Sequence, residues 1–360
     1  MEWKMTRIPS PDEIGPEWLS QVLSANGYPG AVVATVRSHR IGTGQAAACS
    51  RLHMTYVDGK QAGAPATLVA KFPSDDETSR KSCMAMGLYQ REVDFYRDVA
   101  PRLTLNLPRT YFLEVSDSGE FFLILMEDLS PAEQGDQLAG CSPAVAREAV
   151  LQLVGLQAPI WCDATLGARF MDKPGSFFAD MRKVYNDALP GFLDRLAHRL
   201  DPEEVAIISD LGKSTSAPLY LPVGSPFCLE HRDFRPDNVM IDMSRSEPRV
   251  ITVDWQGMRT GRPLNDVCIF LGAGVEPEVR REIEGDLIRE YHLALLAAGV
   301  RDFSWEQCWL EYRRAAYAGF ALTVISTVSV VQTDRGDAMF TAMARRYARH
   351  ALEVGARDFL

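Results

Sequence analysis

The chain has 360 residues, 46% hydrophobic and 24% charged, an ordinary globular balance with enough apolar side chains for a sizeable core. A net charge of -10 sets aside the basic surface that nucleic-acid binding normally requires. The seven cysteines are odd in number and scattered without a Cys-x-x-Cys pair, which argues against a disulfide or zinc framework, and Met1 to Ile8 has no secretory apolar core, so a cytoplasmic protein is expected.

In chain order, Pro16 to Ala25 places Trp18, Leu19, Val22 and Leu23 on one helical face, and Gly27 stops that helix. Val32 to Ile41 and Ala47 to Val57 read as strands joined by the turn Gly42-Thr43-Gly44. Asp58-Gly59 ends the second strand, and Ala66 to Phe72 is a third, with Lys71 inside it, where a lysine needs a partner. A helix is expected from Glu77 to Val99, with Leu88, Phe95 and Val99 on its apolar face and Glu92 as the candidate partner of Lys71; Asp94 or Glu77 takes that place if the helix phase differs. Arg109 to Val115 and Gly119 to Glu127 complete a five-stranded set. Ser142-Pro143 then opens a helix toward Trp161, which Pro159 shortens. Helical patterns follow over Phe177 to Leu200, Pro202 to Leu211, Pro277 to Ala297, Ser304 to Val331 and Ala338 to Val354. The uncharged run from Ala315 to Val331 approaches the ~20 residues that span a bilayer, but its Ser, Thr and Gly content reads as a buried core helix, and no membrane partner is expected.

The chemistry concentrates in His231-Arg-Asp-Phe-Arg-Pro-Asp-Asn238, followed by Val250-Ile-Thr-Val-Asp-Trp-Gln256. The apolar runs Val239-Met-Ile and Val250-Ile-Thr-Val flank a polar turn, so a loop feeds a β-hairpin that ends at Asp254. Two acids and an amide held this way suit phosphoryl transfer, in which hard oxygen ligands bind a divalent cation and a carboxylate orients the attacking hydroxyl. Asn238 and Asp254 are the candidate magnesium ligands, Asp233 the candidate catalytic base and His231 a packed support for the loop. The string matches the H-R-D-x-x-x-x-N catalytic-loop pattern. Arg235 either neutralises charge on the transferring group or pairs with Asp237.

From about Ile41 to about Gly272 these features resemble the aminoglycoside phosphotransferase and choline-kinase-like superfamily, especially its ecdysteroid-kinase-like branch. The resemblance implies an α+β, two-lobed protein-kinase-like fold, with a small nucleotide-binding lobe over residues 1–128 bearing a five-stranded antiparallel sheet and a large, mainly helical lobe over 129–360. It implies that backbone N–H groups at Gly42 and Gly44 lie over nucleotide phosphates, although the third glycine of G-x-G-x-x-G is missing. It also implies that Lys71 contacts the phosphates and pairs with Glu92, that the backbone from Met126 through Glu127 to Asp128 meets the adenine, and that Asp266 bonds to the catalytic loop, where the plain alternative is a helix N-cap. Where relatives often carry a histidine, this chain has Gln157. The implied activity is ATP- and Mg2+-dependent transfer of the γ-phosphoryl group to a hydroxyl of a small molecule, with GTP open beside ATP. The competing readings are a catalytically inactive nucleotide-binding regulator and a protein kinase. Only eleven residues, Trp255 to Asn265, separate Asp254 from Asp266, with no A-P-E element to dock a peptide. The sequence leaves the acceptor and the oligomeric state open.

Overall fold

The computed structural model describes residues 8–42, 46–59, 61, 63–172 and 180–360, excluding the side chain of Asp12. They fall into two compact units, one drawn from Met1–Pro101, Leu107–Ser130 and Asp254–Gly257, the other from Arg102–Asn106, Pro131–Val253 and Met258–Leu360.

The first unit is built on the strands β1 (Val33–Ile41), β2 (Ala47–Tyr56), β3 (Thr67–Pro73), β4 (Thr110–Val115) and β5 (Phe122–Glu127), which form an antiparallel sheet in the order β1-β2-β3-β5-β4. Alternation decides which face is buried. Ala48, Leu52, Leu68, Ala70 and Phe72 turn to one side, where helix α1 (Pro16–Ala25) covers them with Leu19, Val22 and Leu23. Burying each such leucine stabilises the unit by roughly 1.5–3 kcal/mol, so the amphipathic stripe of α1 holds it against the sheet. Lys71 lies on the opposite face, directly across from Cys49 of β2 and Ile124 of β5.

The single helix expected over Glu77 to Val99 is broken. Helix α2 (Glu77–Ala85) stops before Gly87, whose φ of 68° is left-handed, and α3 (Leu88–Asp94) restarts on a new axis before a π-turn over Phe95–Val99.

The second unit is mainly helical. Its helices are α4 (Pro143–Gln157), α5 (Ala164–Phe170), α6 (Met181–Leu196), α7 (Pro202–Lys213), α8 (Leu264–Gly274), α9 (Pro277–Ala297), α10 (Trp305–Ala315), α11 (Ala318–Ser329) and α12 (Asp334–Glu353). The short strands β6 (Glu133–Gln134), β8 (Val239–Asp242) and β9 (Arg249–Thr252) form one small sheet, and β7 (Cys228–Glu230) pairs with β10 (Arg259–Gly261) in another. The expected helix from Ser304 to Val331 is two helices, α10 and α11, because the chain bends at Ala316-Tyr317 and brings Gly319 against the ring of Tyr347. A Cβ at Gly319 would lie 2.1 Å from that ring, so continuing α10 straight would lose this approach. The apolar run is thus a core helix, with Phe320, Ala321 and Val324 buried against α6, α8 and α12. The last helix begins at Asp334 rather than Ala338, capped by the Thr333 side chain. The start of the expected Phe177 helix lies outside the described residues; its described portion is α6. Among the described residues no single helix is long and apolar enough to cross a membrane.

Candidate active site

In the first unit, the Lys71 Nζ lies 2.7 Å from both carboxylate oxygens of Glu92 and 2.7 Å from Oδ1 of Asp254. Burial acts to lower the pKa of this amine, but the Asp254 and Glu92 carboxylates overcome it and hold the ammonium well above the usual lysine range. The two alternative partners, Asp94 and Glu77, are engaged elsewhere: Asp94 accepts from Gln90, and Glu77 pairs with Lys81. Burial pushes the Cys49 thiol, on the Lys71 face, up to about 11, so it stays protonated at neutral pH.

Asp254 has a left-handed φ of 68°, an uncommon conformation for a residue other than glycine, and the residues after it hold the turn. Trp255 is fully buried and stacks on Phe95 with ring centroids 3.8 Å apart and planes 8° from parallel. Arg91 donates to the carbonyl of Gln256 at 3.2 Å, and the Gln256 side chain donates to Asp254 Oδ2 at 3.3 Å. Helix α3, which carries Glu92, and the Asp254 turn are therefore fastened together by an aromatic stack, a hydrogen bond and a shared lysine.

At the far end of β5, Met126 is buried, and Glu127 donates its backbone N–H to the Arg109 carbonyl while its carboxylate accepts the Arg109 N–H. Asp128 forms an ion pair with Arg51. Gly42 has a left-handed φ of 69°, whereas Gly44 lies outside the described residues.

In the second unit, the loop after β7 is held from beneath. Both oxygens of the fully buried Asp266, in the first turn of α8, accept backbone N–H groups, Oδ2 from His231 at 2.6 Å and Oδ1 from Arg232 at 2.9 Å. Asp266 is therefore a loop brace and not an N-cap; the N-cap position belongs to Pro263. Arg232 takes a φ of 69°, so the chain turns sharply just before Asp233. His231 Nδ1 accepts the Asp233 N–H at 3.3 Å and Nε2 bonds the carbonyl of Val253 at 2.9 Å. Only the neutral tautomer protonated on Nε2 satisfies both bonds, which gives the ring a supporting role.

Each Asp233 oxygen has a fixed donor: Oδ1 accepts from Arg235 Nε at 2.8 Å and Oδ2 from Asn238 Nδ2 at 2.7 Å. Asn238 also bonds the Asp233 carbonyl, which closes the loop on itself. Arg235 reaches Asp237 at 2.6 Å, so its guanidinium bridges two carboxylates. The Asp233 side chain nevertheless keeps 30% of its surface exposed, enough for a hydroxyl to approach. Phe234, buried against Phe270 of α8, anchors the loop from the apolar side.

Each of the two expected magnesium ligands, taken by itself, has donor chemistry that suits the cation. With its amide nitrogen committed to Asp233, Asn238 has its oxygen as the remaining polar atom, and Asp254 contributes a carboxylate whose side chain is 28% exposed. Both are hard oxygen donors of the kind that cation takes. Among the described residues no group of three His, Cys, Asp or Glu side chains offers an alternative metal centre.

Sequence reasoning missed two supports. Glu230, buried at the end of β7, accepts from Arg262 N at 2.6 Å and Asn265 Nδ2 at 2.9 Å, and a Cβ at Gly261 would lie 1.3 Å from its Oε1. A glutamate in an apolar run immediately before His231 was the available signal. Gln157 is buried, donates to the Pro263 carbonyl at 2.7 Å and accepts the Tyr291 hydroxyl, bracing the start of α8.

Burial, then the charge of Glu230, raises the Asp266 carboxyl to about 7, against the opposing pull of the two backbone N–H groups. Burial raises Glu230 as well. A carboxyl whose folded pKa exceeds its unfolded value takes up protons on folding, so its contribution to stability is full below the unfolded pKa, near 4, and is lost as the pH rises through about 7. Glu230→Gln keeps an acceptor oxygen and removes the charge. Its stability in urea relative to wild type is expected to improve as the pH is raised from 5.5 to 8; a difference that does not change with pH counts against this coupling.

The model of the phosphotransferase enzyme family matches residues 55–305. No curated protein matches the sequence. Among solved structures, a Ralstonia eutropha protein named for the aminoglycoside phosphotransferases is 15% identical, with a TM-score of 0.55 over 94% of this chain and 98% of its own. Choline kinase from Cryptosporidium parvum is 11% identical, with a TM-score of 0.53 over 89% of each chain. The GDP complex of aminoglycoside 2'-phosphotransferase-IIIa is 11% identical, with a TM-score of 0.52 over 93% of this chain and 99% of its own. At these identities the three likenesses speak for the fold, which is that of the protein-kinase-like phosphotransferases. The family match covers well over half of the sequence, and the chain belongs to the phosphotransferase enzyme family.

Proposed function

We propose that this enzyme transfers the γ-phosphoryl group of ATP to a hydroxyl of a small molecule, with Asp233 as the group that orients the hydroxyl and accepts its proton. The observation that carries the proposal is the Asp233 carboxylate, partly exposed and fixed by Arg235 on one oxygen and Asn238 on the other. Phosphoryl transfer depends mostly on positioning and charge stabilisation, and a carboxylate held in one orientation contributes the first. Asn238 and Asp254 are the residues that would offer oxygens to Mg2+, which would supply positive charge to the phosphate oxygens. Lys71, kept cationic by Asp254 and Glu92, contacts the phosphates; the loop with Gly42 and Gly44 covers them, and the backbone of Met126, Glu127 and Asp128 receives the base. His231 and Asp266 support the catalytic loop, and Arg235 aims Asp233.

A small acceptor follows from the short connection between Asp254 and Asp266, which leaves no chain for a peptide-docking platform. The test is γ-labelled ATP incubated with the enzyme and a cell extract separated by size. Label in the low-mass fraction supports the proposal, whereas label confined to protein overturns it. Aminoglycosides and choline, after which the likened structures are named, belong in a first panel of pure hydroxyl compounds read by ADP release.

A further inference from the structure

We infer that Arg51 is a specificity-determining residue for the nucleotide, its guanidinium forming the plane on which the purine base stacks. The inference rests on the reading of Lys71 as the phosphate contact and concerns only the first unit.

Strand register places Arg51. Cys49 lies across from Lys71, and Arg51 lies across from Val69, so Cys49, Arg51, Val69 and Lys71 share one face of the sheet. Val69 in turn faces Met126 of β5, one residue before Glu127 and two before Asp128. Moving from Lys71 toward that end of β5 therefore reaches Arg51 and Val69 after two residues, roughly 7 Å at ~3.3 Å per residue. This is comparable to the separation between the phosphates and the base within a nucleotide. The opposite face is closed by α1, with Leu52, Leu68 and Ala70 buried; Val69 is half-buried, and the Arg51 side chain keeps 31% of its surface exposed.

Arg51 is also tethered. Its Nη2 donates to Asp128 Oδ1 at 3.1 Å, and its Nε lies 2.9 Å from Oδ2. That one hydrogen bond, with the Nε ion-pair contact beside it, tethers the guanidinium to Asp128, whose side chain is only 4% exposed and also accepts from Ser130 N. A planar guanidinium tethered on a half-open face beside Val69 and Met126 suits an aromatic ring, which it attracts by stacking and by its charge. A lysine would retain the charge and lose the plane.

The experiment compares binding of Mg-ATP, Mg-GTP and magnesium tripolyphosphate, which has no base, to the wild type, Arg51→Ala, Arg51→Lys and Asp128→Asn by calorimetry. The wild type is expected to bind a nucleotide more tightly than tripolyphosphate. Both Arg51 variants lose about three- to tenfold of that base-dependent advantage while their tripolyphosphate affinity stays within about twofold of wild type. Asp128→Asn, which keeps the guanidinium but loosens it, loses less in the same direction. A merely structural role for the ion pair lowers the melting temperature without changing the ratio of nucleotide to tripolyphosphate affinity, and that result overturns the inference. So does an equal loss for all three ligands. A wild type that binds tripolyphosphate but no nucleotide overturns the functional reading as well.

Discussion

Asp233→Asn is expected to lower turnover by ~10²-fold or more while leaving Mg-ATP affinity within a few-fold of wild type. The side chains are nearly isosteric, but the amide has no capacity to take a proton from the acceptor hydroxyl. Half of its polar surface also becomes a donor, facing either Arg235 Nε or Asn238 Nδ2, which already donate to this position. The loss should therefore fall on kcat and not on nucleotide binding. Single-turnover rates with a responding acceptor, paired with calorimetric titration of Mg-ATP, separate the two. Full turnover in the variant would remove Asp233 from the mechanism, and lost nucleotide binding would show that the change had disordered the loop.

The second large effect is expected at Asp254. Asp254→Ala removes a carboxylate that pairs with Lys71 at 2.7 Å and that we propose as a magnesium ligand. The melting-temperature rise that saturating Mg-ATP gives the wild type, equivalent to ~2.7 kcal/mol at one hundred times the dissociation constant, should largely disappear in the variant. The ligand-free variant also loses one of the two carboxylates that hold Lys71 cationic in a buried position. Asp254→Asn separates the effects, since it keeps the shape and an oxygen donor but not the charge. If the alanine variant shows the full wild-type shift with Mg-ATP, Asp254 is no metal ligand.

The features of this structure legible in the sequence are those set by local physics. The apolar stripe of α1 and the Pro-led start of α9 give the bounds Pro16–Ala25 and Pro277–Ala297 directly, and apolar or β-branched runs between turn residues give the five strands of the first unit. What the sequence hides is set by distant partners. Just after the break at Ala316-Tyr317, Gly319 meets Tyr347, a partner far along the chain, and β7 and β10 are three residues each, too short for alternation to register. Helix α5, seven residues long, is likewise below the length at which a 3.6-residue period can be read. In the candidate site, the spacing of His231, Asp233, Asn238 and Asp254 marks the loop. Of its supports, His231 and Asp266 are named from the sequence, but the role of Glu230 is not, since its acceptor function depends on Arg262 and Asn265, more than thirty positions later.

The Phe95–Trp255 stack bears on how such an enzyme can be inhibited. A compound that works by turning the Asp254 segment outward must pull apart a pair of buried rings 3.8 Å from each other, release Arg91 from Gln256 and strip one carboxylate from a buried ammonium. Those costs fall on the inhibitor's affinity before it gains any contact of its own. Compounds shaped to the assembled arrangement of Lys71, Glu92 and Asp254 escape this penalty, so, with Lys71 in the phosphate-binding role we propose, a search for blockers of this enzyme should favour nucleotide mimics over agents that depend on rearrangement.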